Sequence, residues 1–260
     1  MPFHQPDAIR YYTFDSLDAA RVKHAVFTRQ GGLSPQPWAS LNVGGLRGDD
    51  PERVYQNRVL SFQALGKRPE RVYDVWQVHS AEVVCASAAR PPETPHRKAD
   101  AILTDRPELS LFMRFGDCVP ILLYDPYRRA VGLAHAGWMG TVRGVVGAAV
   151  KTMQANYGSR PQELLAAIGP SIGAHHYPVG EEVQEHVRQA FQERAGAVLQ
   201  AQNGAVHFDL WEANRLSLEE CGVQQIEIAG ICTACHLEDW YSHRAEQGQT
   251  GRFGVLLALE

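Results

Sequence analysis

The chain has 260 residues, of which 45% are hydrophobic and 21% are charged, and its formal net charge is −4. This composition is typical of a globular protein, and the negative charge argues against a bulk electrostatic grip on nucleic acid. No apolar stretch approaches the roughly 18 residues that span a bilayer, and the N-terminus lacks a signal-peptide pattern. Five cysteines without such a signal predict a cytoplasmic protein with free thiols and no membrane partner.

The first half of the chain predicts short strands around one helix. A strand is expected over residues 22–28, and acids and a proline at 49–52 mark the start of a helix that reaches about residue 65. Strand character returns over 72–84, around His79. Four strands are predicted between 101 and 134, the last two joined by a turn.

The second half of the chain predicts more helix. The expected elements are a helix at 141–157, a strand at 164–168, helices at 181–194 and 207–220, and strands at 226–231 and 254–259. This order mixes hairpins with single helices and lacks regular βαβ alternation. It predicts an α+β fold in a single domain, residues 1–260.

Three residues suited to metal binding lie beside predicted strands. They are His79, Cys118 and His135, the last two with glycine nearby. One cysteine and two histidines can supply three ligands and leave a fourth position open, as in catalytic zinc sites. Their spacing matches no known short motif, so burial of Cys118 as a small hydrophobe is the competing interpretation. Asp117 could orient a ligand histidine or cap a turn.

Two other groups carry weaker signals. Cys232 and Cys235 form a C-x-x-C pair followed by His236, but there is no second pair, no thioredoxin-like order and no export signal. A structural zinc, redox or haem site is therefore not favoured there. His175 and His176 could bind metal, but they lie in a Pro/Gly-rich turn and are interpreted as surface structure.

Arginines in polar, glycine-containing surroundings are candidates for anion binding. Asn42 with Arg58, and Arg244 with Arg252, fit this description. A guanidinium can hold phosphate or carboxylate through two hydrogen bonds. The competing interpretation for each arginine is a solvated ion pair.

The same residues belong to an ordered series of motifs from about residue 29 to 259. The series includes Ser40-Leu41-Asn42-Val43, Asn57-Arg58, Gln77-Val78-His79, Gly116-Asp117-Cys118-Val119-Pro120 and Ala134-His135-Ala136-Gly137-Trp138. It resembles the laccase-domain family, long labelled multicopper polyphenol oxidase. The resemblance implies layered mixed sheets and helices, similar to the catalytic domain of cytotoxic necrotizing factor toxins.

The resemblance also implies an activity. Members of that family are purine nucleoside phosphorylases that use inorganic phosphate with adenosine, inosine, guanosine or methylthioadenosine, and they have a secondary adenosine deaminase activity. Matching the motifs gives zinc ligands at His79, Cys118 and His135, and substrate or phosphate contacts at Asn42 and Arg58. We add Arg244 as a further anion contact and Asp117 as a catalytic candidate for proton transfer. A monomer is expected.

Alternatives remain open at this point. Copper could replace zinc in vitro, because copper outranks zinc for such ligands, but no His-x-His pairs are present to build a multicopper oxidase. Cys118 and His135 could instead form the nucleophile and base of a cysteine hydrolase that edits peptidoglycan precursors. A non-catalytic metal-binding protein is a third possibility. Met139 stands where the resembled family has arginine, and His175 and His176 stand where it has cysteines.

Overall fold

The computed structural model describes residues 2–45 and 48–260. Two six-stranded mixed sheets lie face to face, with helices against the outer face of each sheet. The layers therefore run helix, sheet, sheet, helices. This confirms the predicted α+β fold of layered mixed sheets and helices, whereas the likeness to the necrotizing-factor toxins stays a prediction.

The strands are numbered β1–β14 in chain order. The first sheet contains, in spatial order, Phe3–His4 (β1), Tyr11–Tyr12 (β2), Lys23–Phe27 (β3), Phe253–Ala258 (β14), Ser110–Phe115 (β7) and Val72–Tyr73 (β4). The second contains Gln225–Ile228 (β13), Leu165–Ile168 (β10), Val119–Asp125 (β8), Ala130–Ala136 (β9), Ala101–Thr104 (β6) and Val83–Cys85 (β5). A separate hairpin pairs Leu199–Gln202 (β11) with Ala205–Phe208 (β12).

The helices differ in how they begin. They are Asp15–Ala19 (α1), Pro51–Ala64 (α2), Trp138–Val142 (α3), Val145–Tyr157 (α4), Glu181–Phe191 (α5), Ala195–Val198 (α6) and Leu210–Glu220 (α7). The Asp50 side chain caps α2 by accepting from the Arg53 amide, and Pro51 occupies the first helical position, which needs no donor. Asp209 caps α7 in the same way through the Glu212 amide.

Central strands are buried on both faces, which explains their continuous apolar sequences. In β8, Ile121 faces the core shared with α4 and α7, whereas Leu122 faces the core between the sheets. In β14, Val255 faces the core between the sheets and Leu256 faces α2. Because successive side chains point to opposite faces, one strand serves two cores.

Three sequence predictions were wrong in detail. Residues 72–84 are not a continuous strand: β4 and β5 flank an irregular stretch that carries His79, which therefore does not end a strand. The helix expected at 141–157 is split at Gly144, whose φ of 76° breaks the helical path. The helix expected from residue 207 begins at Leu210, because 207 and 208 belong to β12.

Two crossings of the chain between the sheets carry candidate site residues. The chain passes from β4 in the first sheet to β5 in the second through the segment carrying His79. It passes again from β7 to β8 through Gly116, Asp117 and Cys118. Both crossings lie at the junction between the sheets. Among the residues described, no helix is long and apolar enough to cross a membrane.

Candidate metal centre and adjoining cavity

The two crossings bring the three predicted metal ligands together. The candidate donor atoms of His79, Cys118 and His135 all lie within 4.8 Å of one another. Cys118 Sγ is 3.9 Å from His79 Nε2, and the two histidine rings are 5.0 Å apart between centroids. His135 lies in β9 opposite Pro120 of β8, which places it next to Cys118. We call these three residues the open cluster.

Asp100 fixes the orientation of His135, a role that the sequence analysis missed. His135 Nδ1 donates to Asp100 Oδ1 at 2.9 Å, which leaves Nε2 directed at the open cluster. The other carboxylate oxygen accepts from the Val78 amide and from both the amide and the hydroxyl of Ser80. A buried carboxylate that orients a ligand histidine is the usual outer partner at a metal site. Asp100 also holds the segment that carries His79.

Cys118 and His135 of the open cluster shift each other's pKa in opposite directions. Burial alone would raise the pKa of the Cys118 thiol, but the charge and hydrogen bond of His135 outweigh it and lower that pKa to about 6. Burial would lower the pKa of His135, but Cys118 and Asp100 raise it to about 9. Cys118 is thus a thiolate beside an imidazolium near neutral pH. A divalent cation would replace the imidazolium proton as the partner of the thiolate.

Two glycines are needed for close approach at this point. A Cβ atom on Gly137 would lie 2.8 Å from Cys118 Sγ. A Cβ atom on Gly116 would lie 2.9 Å from the Arg252 side chain. Real Cβ atoms do not approach that closely, so larger residues would displace the cysteine or the arginine. This accounts physically for Gly137 beside the open cluster and for Gly116 beside Arg252.

The open cluster forms part of the wall of a cavity of about 670 Å³. The wall also carries two further imidazoles, the exposed indole of Trp76 and three guanidiniums. Its lining residues are Gly44, Gly45, Arg58, Trp76, Gln77, His79, His96, Arg114, Gly116, Cys118, His135, His243 and Arg252. The flat indole, the cationic guanidiniums and the metal-binding groups together suit two ligands bound side by side, one planar and one anionic.

The guanidiniums of the cavity differ in how their charge is balanced. Arg114 pairs with the buried carboxylate of Asp74 at 3.2 Å, and Asp74 also binds Arg90 and His96. Arg58 donates its Nε to the Val43 carbonyl, and among the described residues no carboxylate lies at ion-pair distance from it. Burial, and secondly repulsion by Arg114, lower the pKa of Arg58 to about 10. Arg58 still carries its charge at neutral pH.

Three residues predicted to act on substrate are held in other contacts. Asn42 is fully buried and accepts from the amides of Gly44 and Arg252 while donating to Asp49, so it shapes the cavity wall from behind. Asp117 accepts from the Thr233 hydroxyl and the Arg244 amide, both at 2.7 Å. Its carboxylate therefore braces two loops against each other, and proton transfer by Asp117 stays a prediction.

Arg244 also lies elsewhere than expected. Its guanidinium stacks on the Tyr177 ring and donates to the Pro178 carbonyl, outside the set of residues that line the cavity. Arg252, from the same sequence pattern, does line the cavity. The sequence analysis grouped these two arginines and chose Arg244 as the anion contact, which stays a prediction, but of the two it is Arg252 that lines the cavity. Arg114 and Trp76 gave no motif signal at all.

Met139 does not line the large cavity. It lines a smaller cavity of about 190 Å³ with Trp138, Tyr177 and Cys118. It is partly exposed in the first turn of α3 and faces a neighbouring cleft that includes Glu182. None of the three guanidiniums of the large cavity lines either of these two spaces.

Comparison with known proteins is consistent with this architecture. The chain belongs to the family described as multi-copper polyphenol oxidoreductase laccase, whose sequence model matches residues 23–260. A protein of Deinococcus radiodurans named purine nucleoside phosphorylase is 39% identical over 238 residues, covering 92% of this chain and 89% of the relative. A Bacteroides thetaiotaomicron protein of the same name is 34% identical and covers 95% and 96%.

Solved structures share the whole fold. Hypothetical protein YfiH of Bacillus licheniformis superposes with a TM-score of 0.92 at 30% identity, covering 100% of this chain and 99% of the other. YlmD of Geobacillus stearothermophilus gives 0.90 at 30% identity with the same coverage. The layered α+β arrangement is therefore the fold of this group of proteins.

Proposed function

We propose that the chain is a zinc-dependent purine nucleoside phosphorylase. The observation that carries the proposal is one cavity with the open cluster on one part of its wall and the uncompensated guanidinium of Arg58 on another. Phosphorolysis needs cationic groups that bind phosphate and polar groups that lie near the sugar and the base. The relatives that bear this name, at 39% and 34% identity, support the same activity.

Phosphate is assigned to the arginines, with Arg58 as the principal contact. Arg114 is neutralised by Asp74, whereas Asp74 acts on Arg58 only at longer range. A partly buried cation without a carboxylate partner is stabilised by an anionic ligand. Arg252 adds a second guanidinium, and its backbone is held by Asn42. Asn42 therefore contributes by positioning Arg252 and Gly44.

The purine base is assigned to Trp76. Its indole is 45% exposed, which is unusual for the largest aromatic side chain, and it lines the same cavity. A planar base stacks favourably on an indole face. Stacking would hold the base while the ribose C1′ faces bound phosphate.

In the reaction, a phosphate oxygen forms a bond to C1′ as the bond from C1′ to the purine nitrogen breaks. The electron pair of that bond leaves with the base, which takes up a proton. The His243 imidazole is exposed on the cavity wall and is our candidate donor of that proton. The arginines stabilise the phosphate as the sugar develops positive charge.

The open cluster fits zinc. One thiolate and two imidazole nitrogens suit that ion, and Asp100 already directs His135 Nε2 toward the shared point. His79, Cys118 and His135 would hold the metal, which would supply a Lewis acid with one open position. Copper would bind the same donors in vitro.

Turnover of inosine with inorganic phosphate tests the proposal. We expect ribose 1-phosphate and hypoxanthine, and their absence at high enzyme concentration would refute the activity. Arg58→Leu removes a charge-assisted contact worth roughly 1.5–3 kcal/mol, so the KM for phosphate should rise about 10- to 100-fold. Arg71→Leu, at an exposed position outside the cavity, is the matched control and should leave that KM unchanged. An equal effect of both substitutions would remove Arg58 from the phosphate site.

We propose adenosine deaminase as a secondary activity of the same cavity. Glu82, the carboxylate closest in sequence to His79, is exposed and does not line the cavity, so a histidine must carry the proton. Conversion of adenosine to inosine should need no phosphate and should disappear on chelation. Deaminase activity that survives complete metal removal would contradict this assignment.

A cysteine hydrolase is the second candidate function, because Cys118, His135 and Asp100 form a nucleophile, base and orienting carboxylate. In that case Cys118 would attack an acyl group such as those in peptidoglycan precursors. Alkylation of Cys118 decides between the two. Protection by zinc favours the metal site, whereas alkylation at the same rate with zinc present favours the hydrolase.

The ligand sets do not fit a multicopper oxidase, despite the description of the family. Among the described residues only two groups of three or more potential ligands converge, with two histidines each. A trinuclear copper cluster with an additional type 1 site needs many more histidines. Oxidation of phenols by copper-loaded protein would therefore report adventitious copper at the open cluster.

A further inference from the structure

A second group of metal donors lies apart from the cavity. His175 and His176 lie in the short 3₁₀ helix Ala174–His176, and Cys232 and Cys235 lie in a turn after β13. Their four donor atoms all lie within 4.8 Å of one another. None of the four lines the large cavity. We call them the closed cluster.

The distances within the closed cluster fit one tetrahedral ion. A zinc ion with Zn–S of about 2.3 Å and Zn–N of about 2.0–2.1 Å separates sulfur and nitrogen ligands by roughly 3.6 Å. His176 Nδ1 is 3.6 Å from Cys232 Sγ and 3.5 Å from Cys235 Sγ. His175 Nε2 is 3.1 Å from Cys235 Sγ, which a small rotation of an exposed ring would correct.

Backbone contacts preform the closed cluster. The Ser171 and Thr233 amides donate to the Ile231 and Ser171 carbonyls, and these bonds join the two loops side by side. The Cys235 amide donates to the Cys232 carbonyl, which forms the turn between the cysteines. These loops are thus held before any ion binds.

The buried sulfur of Cys232 is held in place by the backbone. The Gly173 amide donates to Cys232 Sγ at 3.2 Å, which fixes the position of this sulfur beside the histidines. Cys232 is 4% exposed, so this sulfur has little access to water as an alternative partner.

We propose that the closed cluster is a second metal site, with a structural role, for a tetrahedral divalent ion of which zinc is the best match. Two sulfur and two nitrogen donors in this geometry select zinc among common biological cations. Binding would release two thiol protons, so two thiolates and two neutral imidazoles would hold the ion in a neutral site. Four protein donors leave no open position, which excludes catalysis at the ion.

The closed cluster is connected to the open one. Thr233, between the two cysteines, donates to Asp117 at 2.7 Å, and Asp117 precedes Cys118 in the chain. The Ile172 amide donates to the Asp117 carbonyl at 3.0 Å. An ion that joins the two loops would therefore fix two of the hydrogen-bond partners of Asp117, Thr233 and Ile172. The structural role is to hold the segment that presents Cys118.

Metal content measured in a Cys118→Ser background tests the proposal independently of the proposed phosphorylase activity. This variant lacks the sulfur of the open cluster, and we expect about one zinc ion per chain after dialysis against metal-free buffer. Adding Cys235→Ser should reduce that content about tenfold or more. Adding Cys85→Ser, at an exposed cysteine outside both clusters, should leave it unchanged.

A second measurement guards against loss of zinc through misfolding. Cobalt added to metal-free Cys118→Ser protein should give the thiolate charge-transfer and visible absorption of a tetrahedral site, and His175→Ala should diminish it. A chelator should lower the melting temperature of Cys118→Ser but not of the Cys118→Ser, Cys235→Ser double variant. Absence of zinc and of the cobalt spectrum in Cys118→Ser, or a Cys232–Cys235 disulfide in protein purified anaerobically, would overturn the proposal.

Discussion

The two clusters use the same kinds of donor in opposite ways. The open cluster has two donors on the crossings between the sheets and a third, His135, on β9, and it faces a cavity of about 670 Å³. The closed cluster has four donors carried by two surface loops, and the cavity does not reach it. Three donors leave a coordination position for chemistry, whereas four complete the shell and favour a structural role.

The surroundings of the clusters differ in the same sense. At the open cluster a buried carboxylate, Asp100, directs a ligand histidine and is itself held by three further hydrogen bonds. At the closed cluster, backbone hydrogen bonds join the two loops, and the Gly173 amide donates to Cys232 Sγ. The number of donors and the groups that hold those donors, rather than the residue types, thus distinguish the proposed catalytic metal site from the proposed structural one.

The largest contrast is expected between Cys118→Ser and Cys235→Ser. The first should reduce phosphorolysis about 100-fold or more, because several kcal/mol of transition-state stabilisation are lost with the open cluster. The second should reduce it by roughly tenfold at most while lowering the melting temperature. Steady-state kinetics and thermal unfolding of both variants measure the contrast. Equal losses of activity would break the distinction between the clusters.

Asp100→Asn should weaken metal binding at the open cluster by about 10- to 100-fold, because the amide no longer fixes the protonated nitrogen of His135. Competition with a chromophoric chelator measures the affinity of each site. The closed cluster supplies the internal control, since it makes no contact with Asp100. A parallel loss at both clusters would show a general disturbance of the fold.

Acid should remove a stabilisation supplied by Asp100. Burial alone would raise the pKa of Asp100, but hydrogen bonds from His135 and Ser80 lower it from 3.8 to about 2. A carboxyl group with a depressed pKa stabilises the folded state fully above about pH 4 and loses that contribution as pH falls toward 2. The difference amounts to about 2 kcal/mol, with His135 protonated throughout.

Urea unfolding of metal-free protein between about pH 5 and pH 2 tests this linkage. The wild type should lose more stability over that range than Asp100→Asn, whose side chain does not titrate. Parallel curves for the two proteins would show that Asp100 keeps its ordinary pKa.

The smallest effect is expected from Met139→Arg. Residue 139 does not line the large cavity and shares a cleft with Glu182, so a new arginine would meet that carboxylate at a partly exposed position. Exposed pairs are worth about 0–1 kcal/mol, and the KM for phosphate should change less than about threefold. A large fall in that KM would place the phosphate near residue 139 and overturn its assignment to Arg58.

The sequence predicted the fold class because its signals are local. Capping at Asp50 and the apolar sequence of β8 follow directly from residue preferences. The irregular stretch around His79 was not predictable, because its path depends on Asp100, which is distant in the chain and holds it by hydrogen bonds. Likewise, the break at Gly144 depends on a left-handed backbone that helix propensity does not reveal.

The site was predicted in part for a similar reason. His79, Cys118 and His135 were identified as a group, and the structure brings them together. The closed cluster was dismissed because its two halves are 56 residues or more apart, and the C-x-x-C pair alone lacks the second pair expected of a structural zinc site. Asn42 was interpreted as a contact because sequence shows residue type but does not show which hydrogen bonds are already occupied inside the fold.

The left-handed backbone at two positions has a consequence for how this chain can vary. His79 has a φ of 59° and Asp117 a φ of 81°, a conformation that costs most side chains roughly 1 kcal/mol and suits glycine or asparagine. Backbone preference and chemistry therefore act in opposite directions at both positions. In a random library, glycine at 79 or 117 would relax the main chain while losing a metal donor or a brace. Variants selected for stability alone should accumulate glycine at 79, and variants selected for turnover should reject it. Glycine at 117 should be rejected under both selections, because it also removes the acceptor of the Thr233 and Arg244 hydrogen bonds.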